Sequence, residues 1–226
     1  MHYQKYTKRN LKKNKVLDFF GNFNVTRWII LANVVFFILA YIIAYFYPSI
    51  IEYIALKPAN ILAGKKIWTL LTSMFMHGGI GHLLVNMISL MFIGNFVERI
   101  IGRKRFFWFY MISGIISGLF FVVLAWIFNS GLDTYAVGAS GAIFALGGLL
   151  MILTPRLPVL VFFIIPLPMW IAMLFMLFAL WVVSFGFNLP IGNVAHLGGL
   201  LSGIVFGLYL KYKYRKKVEL LNKYFS

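Results

Sequence analysis

Apolar runs about as long as a bilayer crossing requires recur along the chain, and the charged residues fall between them rather than inside them. A first run covers residues 28–47. Residues 48–66 are too mixed to cross, with Glu52, Lys57, Pro58, Lys65 and Lys66. Residues 67–79 are apolar but broken by Thr69, Thr72, Ser73, His77, Gly78 and Gly79, which predicts an interfacial or partly inserted segment leading into a second span over 80–97. Glu98, Arg99, Arg103, Lys104 and Arg105 separate this from a third span, 106–128. The loop Asn129–Thr134 precedes a Gly/Ala-rich fourth span, 137–153. After the turn Thr154-Pro155-Arg156-Leu157-Pro158, the stretch 159–187 is longer than one crossing needs. Pro166 and Pro168 divide it into an interfacial lead-in and a fifth span, 168–187. A loop from Asn188 to Gly192 leads to the sixth span, 192–210. The pattern predicts an all-α, polytopic bundle of six transmembrane helices: a basic segment 1–27, a membrane core 28–210 and a basic tail 211–226.

Composition agrees. Hydrophobic residues make up 62% of the 226 and charged residues 12%, against about 45–50% and about 25% in soluble domains. The net charge of +16 would suggest nucleic acid in a soluble protein. Here the bases border apolar runs, so they read as topology signals and as an attraction to membrane lipid, with no nucleic-acid partner. Eighteen Lys and Arg lie in the tails, the 98–105 loop and the 154–158 turn, against three (Lys57, Lys65, Lys66) on the opposite side. Both termini are therefore expected in the cytoplasm of a cell-membrane protein. The first run lacks a small-x-small cleavage site and reads as a retained anchor. With no cysteine, disulfides and thiol chemistry are excluded.

Polar groups inside a bilayer are costly, so they point to function. His77, His82 and His196 lie in or beside apolar spans, and Asn86 follows His82 by one helical turn. Ser140 opens the fourth span. By the expected orientation all of them gather toward the outer ends of their spans. The sixth span carries Gly192, Gly199, Gly203 and Gly207 at near-regular spacing around His196, and the fourth carries Gly138, Gly141, Ala142, Ala145 and Gly148. Such small-residue surfaces let helices approach closely, which would bring His196 to Ser140, a minimal activated nucleophile. Other readings stand beside this one. Gly-Ala-Ser-Gly is ordinary packing sequence, and His82 with Asn86 could tie two helices together. His77, His82 and His196 could supply three metal ligands, although no H-E-x-x-H motif or neighbouring acid supports this. A channel, transporter or helix-binding protein could also use a polar cluster, but no acid lies inside any span. Asp133 and Glu98 read as structural or solvated, so a Ser–His dyad fits better than a triad.

His77-x-x-x-x-His82-x-x-x-Asn86, Gly138-x-Ser140-Gly141 and Ala195-His196-x-x-Gly199-x-x-x-Gly203 occur in one order across residues 28–210. In this the chain resembles the rhomboid family of intramembrane serine proteases. The resemblance implies a cofactor-free, metal-free endopeptidase that cuts single-span membrane proteins near the outer face of the bilayer. Ser140 would be the nucleophile and His196 the base. His82, Asn86 and backbone amides near Ser140 would form the oxyanion hole, and Gly138 would contact substrate. Phe144 would pack on His196, while His77, Gly199 and Trp68 would be structural neighbours of the site. Glu98-Arg99-x-x-Gly102 is similar to a structural family element. One departure is Thr69 after Trp68, where the family often has arginine, and this bears on loop anchoring more than on chemistry. Substrate identity and oligomeric state are left open.

Overall fold

A computed structural model describes residues 24–161, 164–186 and 192–225. The basic run Lys5–Lys15 and nearly all of the 188–192 loop lie outside these. The long elements are α1 (Val25–Phe46), α5 (Ile80–Ser89) continuing through a π-helical turn (Leu90–Gly94) into α6 (Asn95–Ile101), α7 (Arg103–Ile127), α8 (Ser140–Leu153), α9 (Met169–Gly186) and α10 (Asn193–Lys213). Between α1 and α5 lie three short helices, α2 (Ile51–Ile54), α3 (Pro58–Leu62) and α4 (Thr69–Thr72). The chain closes with α11 (Arg215–Tyr224).

Five of these helices are long and apolar enough to cross a membrane: α1, the Ile80–Ile101 unit, α7, α9 and α10. The expected fourth span differs. α8 has 14 residues, which rise about 21 Å at ~1.5 Å each, against a hydrocarbon layer of about 30 Å. It is apolar all round and buried from Gly141 to Leu150, as a helix at the centre of a bundle must be. α7, α9 and α10 pack around it. It also touches α11, and Ser140 is its first residue.

The lead-in expected over 159–167 is instead a two-stranded antiparallel hairpin, β1 (Pro158–Val161) and β2 (Ile165–Pro168), with Pro158 opposite Pro168. The molecule is otherwise helical, in keeping with the expected all-α bundle. Proline removes a helix donor and clashes with the preceding turn, whereas a two-stranded ribbon has only edge strands, where proline is tolerated. The 67–79 segment, expected to be interfacial or partly inserted, forms a single helical turn, α4, followed by turns.

Glu98 fastens α1 to α6. Its carboxylate accepts from the Val25 amide (2.9 Å), the Thr26 amide (2.8 Å) and the Thr26 hydroxyl (2.7 Å). An acid at a helix N-terminus meets unpaired donors and the positive end of the dipole. The cap formed by residues 48–79 is pinned differently. The Trp68 indole donates to the Tyr53 carbonyl (2.9 Å) and the Thr72 hydroxyl to the Ile54 carbonyl (2.9 Å). Lys66 pairs with Glu52 at 2.6 Å, and Lys57 with Asp133 in the following loop at 2.7 Å. Thr69 is buried and its hydroxyl donates to the Lys66 carbonyl (2.7 Å). Anchoring here is shared among several bonds.

Candidate active site

Ser140 is the first residue of α8 and His196 lies in the first turn of α10. These two helices touch along glycine. A Cβ on Gly199 would overlap the Gly141 carbonyl oxygen, and one on Gly203 the Ala145 carbonyl oxygen. This backbone-to-backbone approach brings His196 Nε2 to 2.7 Å from Ser140 Oγ. Phe144, one turn along α8, stacks on the imidazole with ring centroids 4.6 Å apart and planes 14° from parallel. The ring is buried between helices. Its Nδ1 makes no hydrogen bond within the described residues. Asp133 is engaged with Lys57 and Glu98 with the start of α1, so among the described residues no carboxylate backs the pair.

His82 and Asn86 lie one turn apart on α5 and face Gly138. A Cβ on Gly138 would lie 2.8 Å from His82 Cε1, 2.9 Å from its Nε2 and 3.6 Å from Asn86 Nδ2. Gly138 also has φ of +122°, a conformation that side chains disfavour. Two independent constraints thus require glycine two residues before Ser140. The Gly78 amide donates to His82 Nδ1 (3.4 Å), which places the proton of the neutral ring on Nε2, toward Gly138. Asn86 Nδ2 is buried and donates to no atom of the described residues. The first-turn amides of α8 have no partner within the helix. Several donors therefore converge beside Ser140.

His77 is buried behind His82, edge-on to it at 5.1 Å and to Phe37 at 6.4 Å. It lines a cavity of about 430 Å³ with Tyr41, Tyr45, Tyr135 and Val137. Among the described residues, no three His, Asp or Glu side chains gather closely enough to hold a metal ion. Trp68 lies in the cap, bonded to the Tyr53 carbonyl.

Ser117 is a residue that the sequence reading passed over. From α7 its hydroxyl donates to the Ala195 carbonyl (2.6 Å), immediately before His196. It occupies the space that a Cβ on Gly141 would need, so α7, α8 and α10 meet at one point beneath the dyad. The available signal was the pairing Ser113-Gly114 and Ser117-Gly118, one turn apart.

Residues 64–213 match the Rhomboid domain family, a stretch that holds every residue just described except Phe37, Tyr41, Tyr45, Lys57 and the Tyr53 carbonyl. The chain belongs to the rhomboid family. It is 34% identical over 154 residues to RHOMBOID-like protein 1 of Arabidopsis thaliana, covering 68% of this chain and 37% of that one. To RHOMBOID-like protein 2 of the same plant it is 35% identical over 161 residues (69% and 46%). To Rhomboid protein 1, mitochondrial, of Saccharomyces cerevisiae it is 32% identical over 146 residues (63% and 41%). The match thus spans less than half the length of these relatives. Family and apolar helices together make this rhomboid a multi-pass membrane protein.

Proposed function

We propose that this rhomboid is an intramembrane serine endopeptidase that hydrolyses peptide bonds of single-span membrane proteins by a Ser140–His196 dyad. The 2.7 Å contact between Ser140 Oγ and His196 Nε2 carries the reading. In the proposed reaction Oγ attacks the substrate carbonyl carbon while its proton passes to His196 Nε2. The tetrahedral oxyanion is held by His82 Nε2–H, the Asn86 amide and the α8 N-terminal amides. The C–N bond breaks as the imidazolium returns the proton to the leaving amine, and water then cleaves the Ser140 ester to release a carboxylate.

Substrate has to reach a serine at the N-terminal end of the short helix α8. Entry beside α9 fits its packing, since the buried residues of that helix are Met169, Ala172 and Met173, all in its first turns. The later turns of α9 meet the core only through partly buried residues such as Met176, Leu177 and Leu180, and in the proposed reaction the substrate segment unwinds at Ser140, where freed backbone groups find polar partners. The charge bias favours an orientation with both termini in the cytoplasm and the site toward the other face of a cell membrane.

The deciding experiment reconstitutes the purified chain with a single-span model substrate. Ser140→Ala and His196→Ala are each expected to abolish cleavage while the protein stays inserted and folded. A fluorophosphonate should label the wild type and spare Ser140→Ala. Normal turnover by the Ser140→Ala protein would falsify the assignment.

A further inference from the structure

The opposite end of the bundle carries a second polar cluster, with no part in the dyad. Arg105 in the first turn of α7, Lys213 at the end of α10 and Lys217 in α11 all converge on Tyr214. The Arg105 Cζ lies 5.6 Å from the ring centroid and its Nη2 donates to the Tyr214 hydroxyl (3.4 Å). The Lys213 and Lys217 ammonium groups lie 5.8 Å and 5.9 Å from the same centroid. Lys213 also donates to the Tyr209 hydroxyl (3.0 Å).

Three cations around one ring repel one another, and no acid of the described residues balances them. Glu52 pairs with Lys66, Asp133 with Lys57 and Glu219 with Arg215, while Glu98 binds the start of α1 and faces Arg103. Among the described residues the arrangement therefore has no anion of its own. Its surroundings say which kind. Next to the cluster runs an aromatic seam between α7 and α10, with Phe109 stacked on Phe206 (4.6 Å) and Phe206 on Tyr209 (6.1 Å). Tyr209 is half exposed, and tyrosines mark the level where hydrocarbon gives way to headgroups. A ligand seated here has a negative head beside three cations and an apolar body along the seam.

We propose that Arg105, Lys213 and Lys217 form the headgroup site for an anionic phospholipid in the leaflet at the C-terminal end of the bundle. The phosphodiester bridges the three cations with the tyrosine hydroxyls as further donors, and an acyl chain follows Tyr209 and Phe206. Bound lipid ties α7, α10 and α11 together through one headgroup.

The test titrates the detergent-purified full chain with phosphatidylglycerol, phosphatidylcholine or inorganic phosphate, read by native mass spectrometry. Phosphatidylglycerol is expected to bind at least about tenfold tighter than phosphatidylcholine. Lys213→Gln combined with Lys217→Gln should remove most of that preference and leave thermal unfolding without lipid unchanged. A control, Lys104→Gln with Lys216→Gln, removes equal charge at the same end and should keep the preference. Should the first pair fail to fold, Arg105→Gln gives the same readout. An equal loss in the control means diffuse charge attraction and overturns the site. Displacement of the lipid by millimolar inorganic phosphate makes it a soluble-anion site and overturns the lipid assignment, as does equal binding of the two lipids.

Discussion

At the scale of single residues, Asn86 shows how a cost to folding can mark a working group. Its buried amide donates to no atom of the described residues, and an unmade hydrogen bond of this kind costs about 1–3 kcal/mol. A structural tie would have spent that donor on a neighbouring helix. If the amide is held for the oxyanion, Asn86→Ala should slow cleavage roughly ten- to thousandfold and leave the melting temperature unchanged or higher. Loss of folding at full activity per folded molecule would make Asn86 a tie instead. Gly138 offers the complementary test. Alanine there meets both the φ of +122° and the His82 ring, so His82 must move. Gly138→Ala is expected to abolish cleavage and to cost about 1–3 kcal/mol in stability, measured by thermal unfolding of the purified variant.

At the scale of elements, the dyad depends on how closely α8 and α10 approach. Moving the helices apart by even ~1 Å can cost about a hundredfold in rate, and a methyl on Gly199 cannot be fitted without that movement. Gly199→Ala should therefore reduce turnover about a hundredfold in whatever fraction remains folded, assayed on material selected by gel filtration. The glycine spacing that predicts this contact was readable in the sequence because period-four small residues have one main use in lipid. The role of Ser117 was not readable. A serine in a membrane helix often bonds back to its own helix, as Ser113 does to the Tyr110 carbonyl, and only the packing of three helices sends Ser117 to Ala195. Ser117→Ala should slow cleavage about fivefold with the dyad residues intact, the equivalent of one hydrogen bond of about 1 kcal/mol; restoration by threonine would separate the hydroxyl from the packing. The hairpin at β1–β2 was hidden for another reason. Apolar residues around prolines rule out a helix without saying what replaces it, and short apolar strands share the composition of a membrane span.

At the scale of the whole molecule, the cap and the site are one mechanical unit. The Gly138 amide donates to the Ser73 carbonyl (2.8 Å), and Leu56 and Ala136 exchange backbone bonds (3.0 and 2.8 Å). The loop that delivers Ser140 therefore hangs from the cap, whose exposed ends are closed by ion pairs. Hydrogen bonding to Lys66 holds the Glu52 carboxyl below its ordinary range, and hydrogen bonding to Asp133 raises the Lys57 ammonium above its own. The signs differ. The Glu52 contribution is complete above the ordinary carboxylate pKa of about 4.3 and is lost as pH falls through the lowered value. The Lys57 contribution is complete below about 10.4 and is lost as pH rises through the raised value. Between those limits the cap should be insensitive to pH. Hydrogen exchange at α3 and α4 is the measurement, because it reads the cap without involving the imidazole of His196. Exchange should be flat across neutral pH once corrected for intrinsic rates and should rise a few-fold on acidification below the ordinary carboxylate range. The Glu52→Gln variant should already exchange at that faster rate at pH 7, since its pair is absent throughout. If the variant and the wild type exchange alike at both pH values, the backbone bonds to Tyr53, Ile54 and Ala136 hold the cap alone and the ion pairs are solvated ornaments of its surface.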